Sequence, residues 1–129
     1  MALPTTARLG ARAHNDATRS SFQEVAARLA EIIGRKLTAY IGNVEDVRSV
    51  DRWIQGSSPY GDTERRLRFA YQLVLTLSEH DRPTVVQSWL TGINPELKDR
   101  TPIRLLREGD LEVVGPDLIG AVRAFIVGG

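Results

Sequence analysis

Residues 62–80 read DTERRLRFAYQLVLTLSEH. Asp62 is an N-cap residue type, and Leu67, Ala70, Tyr71, Val74 and Leu77 recur at the three- and four-residue spacing that puts side chains on one face of an α-helix. Arg65, Arg66 and Arg68 lie near its start. The second half, YQLVLTL, is apolar nearly all round, the pattern of a helix central to a bundle or covered by a partner. The rest of the chain decides what surrounds it.

Upstream, Phe22, Val25, Ala26, Leu29, Ile32 and Ile33 follow the same period, Ser21 and Glu24 have capping-box spacing, and Gly34 stands where a helix terminates. LTAYIG (37–42) is a short segment closed by Gly42. VEDVRSVDRWIQG (44–56) carries Val47, Val50 and Ile54 on one face and ends at Gly56, before a loop, SSPYGD (57–62), rich in turn formers. Downstream, Pro83 suits the first turn of a helix that Val85, Val86, Trp89 and Leu90 line up to Gly92.

The stretch NPELKDRTPIRLLREGD (94–110) holds two short runs, each opened by an N-cap residue and a proline. Asn94 precedes Pro95 and Thr101 precedes Pro102; Leu97, Ile103, Leu105 and Leu106 are the apolar anchors, and Gly109 closes the second run. A last helix is expected from about Pro116, carrying Leu118, Ile119, Val122 and Phe125, because Gly115 and Pro116 should break or restart any helix spanning them. No strand period and no repeat stand out, so the fold reads as a small all-α bundle.

A chain of 129 residues supports one core without staples. It has no cysteine, which removes disulfide frameworks and Cys-based metal or redox motifs and makes the cytoplasm the expected compartment. No apolar run long enough for a membrane span or a secretory signal is present, and the polar, arginine-containing N-terminus reads as a flexible tail over residues 1–19. A net charge of +1 argues against binding nucleic acid through bulk charge. The basic residues are nearly all arginine, which favours planar, two-pronged recognition.

Catalytic signals are sparse. His14 and His80 have no ligand partner at helical spacing, and phosphate-cradling glycine loops, nucleophile elbows and HExxH are absent. Glu45, Asp46 and Asp51 beside Arg48 and Arg52 read as a salt-paired helix face rather than an acid/base pair. The chain is therefore expected to be neither an enzyme nor a holder of a cofactor or metal.

Two constellations rise above this background. In RSVDRWIQG (48–56), Val50, Trp53 and Gly56 are spaced as in the second helix of a helix-turn-helix, with Arg48, Ser49, Arg52 and Gln55 facing outward as candidate DNA-binding residues. Arginine and glutamine suit that role because they make paired hydrogen bonds to guanine and adenine edges. The stretch resembles the repressor-type helix-turn-helix of bacterial regulators, with a connection about two residues longer than the usual turn and with acids that would oppose phosphate. A purely structural helix pair fits the same residues.

The second constellation is Trp89, Asn94-Pro95, Leu97, Arg100, Pro102-Ile103, Leu105-Leu106 and Gly109. Their order resembles the toxin-binding domain of the Xre/MbcA/ParS antitoxin family, whose members often carry a degenerate helix-turn-helix upstream. The resemblance covers about residues 37–126 and is strongest over 89–109. It implies an antitoxin of a type II toxin–antitoxin pair, which neutralises a RES-domain, NAD-degrading toxin by obstructing its active site and regulates its own operon through DNA. The implied layout is a helix-turn-helix-like region over 20–80 and a toxin-binding region over 81–129, forming one compact unit. The toxin-binding candidates are Asn94, Leu97, Arg100, Arg104 and Arg107, with the apolar terminus Phe125, Ile126 and Val127. The implied partners are the toxin, in a hetero-oligomer, and operator DNA, with a homodimer also allowed and no membrane contact. A stand-alone helix-turn-helix transcriptional regulator and a structural oligomerisation module are the competing readings.

Overall fold

In the computed structural model, which describes residues 10–128, helices are the only regular elements: α1 (Ala11–Arg19), α2 (Phe22–Ile33), α3 (Arg35–Ile41), α4 (Arg48–Ile54), α5 (Thr63–Ser78), α6 (Pro83–Thr91), α7 (Pro102–Glu108) and α8 (Leu111–Gly128), with a 3₁₀ turn at Pro95–Leu97. The all-α expectation holds. No helix among the described residues is long and apolar enough to cross a membrane.

The apolar circumference of α5 does what its sequence predicts. Leu67, Ala70, Tyr71, Leu73, Val74 and Leu77 are all buried, and the helix packs against α1, α2, α3, α6, α7 and α8. Burial pushes the Tyr71 phenol up from its ordinary value. Asp62 stands at the N-cap, but its carboxylate makes no bond to the first-turn amides; it pairs instead with Arg66 at 3.0 Å.

The three arginines at the start of α5 act as ties. Arg65 pairs with Glu112 of α8, Arg66 donates through Nη1 to the Leu106 carbonyl of α7 at 2.9 Å, and Arg68 donates through Nη1 to the Ala17 and Ser20 carbonyls at 2.9 and 2.7 Å. The last contact satisfies carbonyls at the C-terminus of α1, where a cation is also favoured by the helix dipole.

That tie corrects the reading of the N-terminus. Residues 11–19, expected to belong to a flexible tail, form α1, whose Ala13 and Ala17 are buried; residues 1–9 lie outside the described residues. Two alanines four residues apart make so small an apolar face that the segment reads as polar. They nevertheless let the backbone approach α5 closely enough for Arg68 to reach its end.

A second correction concerns α8. Gly115 and Pro116 do not interrupt it. Asp110 starts the helix, its Oδ1 accepting from the Glu112 amide at 3.1 Å and its carbonyl from the Val113 and Val114 amides. Pro116 removes one donor from the next turn, but it lies on the exposed side, where the carbonyl left without it can be hydrated. Gly115 serves packing: a Cβ there would come within 3.3 Å of the Phe69 ring.

Gly34 alone joins α2 to α3, with φ +90°, a conformation that side-chain-bearing residues rarely adopt. The Ser21 hydroxyl accepts from the Glu24 amide as the capping-box spacing predicts. Leu106, fully buried between α7 and its neighbours, is the most direct test of the packing. Leu106→Ala should cost about 2–5 kcal/mol of folding stability, seen as a lower midpoint in a urea or thermal melt.

Candidate functional site

The α3–α4 pair forms, with a connection spanning residues 42–47. Val50 and Trp53 point inward as the helix-turn-helix pattern requires, and Trp53 packs edge-on against Phe22 with ring centroids 5.8 Å apart. Gly42 is needed for this fit, since a Cβ there would lie 2.7 Å from the Trp53 ring.

On the outward side, Arg48, Arg52 and Gln55 are exposed and Ser49 is half-buried. Arg48 is the one whose donors are largely committed within the chain. Arg48 binds Asp46 three times: its amide donates to Oδ1 at 2.8 Å, and Nε and Nη2 donate to Oδ2 at 2.9 and 2.7 Å. These hydrogen bonds, the side-chain ones first, hold the Asp46 carboxyl down to about 2, and the same bond raises the Arg48 guanidinium. Arg35 and Asp51 form a close ion pair across the two helices, and Arg52 Nη2 donates to Ser49 Oγ at 3.0 Å. Asp46 thus works as a cap for α4, closing a turn ahead of a helix whose formal N-cap, Val47, has no polar side chain.

The segment between α6 and α8 is a capped platform. Asn94 Oδ1 accepts from the Glu96 amide at 2.9 Å, the Asn94 carbonyl accepts from the Leu97 and Asp99 amides, and the Asn94 amide donates to the Arg100 carbonyl at 3.1 Å. This one residue holds Lys98 and Asp99 in consecutive left-handed conformations, φ 58° and 61°. Thr101 Oγ1 caps α7, and Ile103, Leu105 and Leu106 are buried beneath it. At Gly109 a Cβ would meet the Leu105 carbonyl at 2.7 Å and Val114 at 2.8 Å, so glycine permits the tight passage into α8.

The candidate toxin-binding residues divide on this frame. Leu97 is 1% exposed and anchors the turn, so it presents no surface. Arg100 is exposed with Nε on the Leu97 carbonyl; Arg104 is exposed and paired with Glu108, which raises its guanidinium. The Arg107 guanidinium carbon sits over the Tyr40 ring, 4.4 Å from its centroid, and Arg107 Nη1 donates to the Tyr40 carbonyl. Phe125, Ile126 and Val127 are the last turn of α8 and not a free tail: Val127 is 67% exposed, Phe125 sits at the surface and Ile126 packs partly on the core.

Asn94 and Phe125, taken from separate parts of the sequence, meet in one groove. It has a volume of about 340 Å³ and runs between the end of α6 with the 3₁₀ turn and the last turns of α8, lined also by Trp89, Ile93, Pro95 and Ala124. Ile93, absent from the sequence-based candidates, is 73% exposed. Its signal was a branched apolar residue between a helix-stopping Gly92 and an N-cap Asn94, with no helical face to bury it. Trp89 reads from periodicity as core, and it is buried, yet its indole N–H has no acceptor among the described residues.

The Asp46–Arg48 pair gives a pH test. A carboxyl depressed from 3.8 to about 2 contributes stability that is present above its unfolded value and lost as pH falls through about 2. Carbon NMR of the Asp46 carboxyl should show its midpoint near that value, and Arg48→Ala should return it toward the ordinary one.

Comparison with protein-family models, with curated proteins and with solved structures finds no match to this chain.

Proposed function

We propose that the chain is the antitoxin of a toxin–antitoxin pair, binding a RES-domain toxin through the groove between the platform and the end of α8 and covering the entrance to its NAD-degrading site. The observation that carries this reading is the apolar rim of that groove: Ile93 and Phe125, which line it, are large apolar side chains left exposed beside a platform fixed by its caps. The order of residues 89–109 supplies the kind of partner.

Obstruction then comes from a rigid helix end. A side chain presented on a formed helix loses less freedom on binding than one on a tail that must first order, so more of its burial appears as affinity. Burying Ile93 and Phe125 contributes at most about 1.5–3 kcal/mol each. Operator binding carries less weight in this proposal, because Arg48 is held by Asp46 and the acids Glu45, Asp46 and Asp51 share the face of α4 and its approach.

The test is the double substitution Ile93→Ser with Phe125→Ser. A folded variant with a melt close to that of the parent should bind the toxin at least about a hundredfold more weakly, on the scale of 1.4 kcal/mol per tenfold, and NAD consumption by the mixture should return. Ile93→Ser alone, at the more exposed of the two positions, provides the same readout with less risk to the fold. Full inhibition by both folded variants would move the interface elsewhere.

A further inference from the structure

A second and larger cleft, about 970 Å³, opens between α4, the 57–61 loop, the start of α5 and the end of α7. It shares no lining residue with the groove. Arg52, Arg66 and Arg107 line it from three different helices.

The charges in this cleft do not cancel locally. Asp62 is engaged by Arg66 at 3.0 Å and Glu108 by Arg104 at 2.9 Å. Arg52 and Arg107 have no carboxylate within ion-pair distance among the described residues; their side-chain bonds go to the Ser49 hydroxyl and the Tyr40 carbonyl. Arg107 is also immobilised by stacking on Tyr40, so its remaining N–H groups are held in place with little further entropy to lose. Ser57 and Ser58 add exposed hydroxyls. Among the lining residues, Tyr60 follows Pro59 and precedes Gly61, whose φ is +59°, and Tyr60 is 93% exposed.

Guanidinium groups and hydroxyls are the donors that suit phosphate, and an aromatic ring held in water beside them offers a stacking face for a planar base. We propose that this cleft binds a mononucleotide, with its phosphates on Arg52 and Arg107 and its base on Tyr60. A nucleic-acid duplex is the weaker candidate. Arg107 is half-buried and the Arg66 side chain is only 16% exposed, so these groups are recessed from a convex duplex backbone, and Asp62 and Glu108 stand among the lining residues.

The experiment is calorimetric titration of the full chain, without any toxin, using ADP, inorganic pyrophosphate and a short DNA duplex as probes. ADP should bind, more weakly as salt is raised. Arg52→Gln should weaken ADP and pyrophosphate alike by about tenfold, as expected for loss of one charge-assisted contact. Tyr60→Ala should weaken ADP and leave pyrophosphate unchanged. Both positions are exposed, and a melt of each variant checks the fold; if Arg52→Gln perturbs it, Arg52→Lys, which keeps the charge and loses the two-pronged geometry, takes its place. Absence of ADP binding by the intact chain at millimolar concentration, unchanged ADP affinity in the folded arginine variant, or unchanged ADP affinity in Tyr60→Ala would each overturn the proposal. So would a duplex that displaces ADP and binds more tightly, which would assign the arginines to a nucleic-acid backbone. Because no toxin enters the titration, these outcomes are independent of the antitoxin reading.

Discussion

A helix packed on every side has no free face with which to choose its neighbours, and α5 resolves this with guanidinium groups. Arg65, Arg66 and Arg68 lie within a single turn, yet they bond to α8, α7 and the end of α1 respectively. Apolar contact is non-directional and would tolerate several arrangements of short helices around a central rod. Directed hydrogen bonds to named carbonyls do not. Arginine suits this task better than lysine, because one planar head can serve several acceptors: Arg68 bonds to Glu64 and to two backbone carbonyls at once.

The same economy explains what was legible in the sequence. Helices with large apolar residues at regular spacing, and the caps at Ser21, Asn94 and Thr101, declare themselves because their chemistry is local. What was not legible depends on distant partners. The Ala13–Ala17 face has meaning only once Arg68 waits at the end of α1, and Gly115 reads as a breaker until Phe69 occupies the space that a side chain would fill. Asp46 reads as an acid that would oppose phosphate, but its position two residues before Arg48 makes it the cap of α4. At the groove, Asn94 and Phe125 could be picked from sequence, whereas their meeting could not, since it requires α8 to run unbroken past Pro116.

The two concave features differ in the physics they offer. The groove by Trp89, Ile93 and Phe125 is rimmed by apolar side chains and suits a protein surface; the cleft by Arg52 and Arg107 offers charge, hydroxyls and one exposed ring. Their separation means that ligand at one need not obstruct the other. Arg107, once a candidate for the first surface, belongs to the second, because its stacking on Tyr40 turns it toward the α3–α4 side.

The fit of Gly42 beneath Trp53 bears on how such a chain can drift. With Trp53 in place, even a methyl group at position 42 collides with the indole at 2.7 Å, while with a small residue at 53 the remaining close neighbour is the Thr63 methyl at 3.3 Å. Changes at the two positions are therefore not interchangeable in time. A route to a methyl group at 42 passes first through the loss of the tryptophan and the cavity it leaves, and a larger side chain there must also displace Thr63. That ordering makes the junction of α3 and α4 a kinetic trap in sequence space, resistant to change even where no partner touches it.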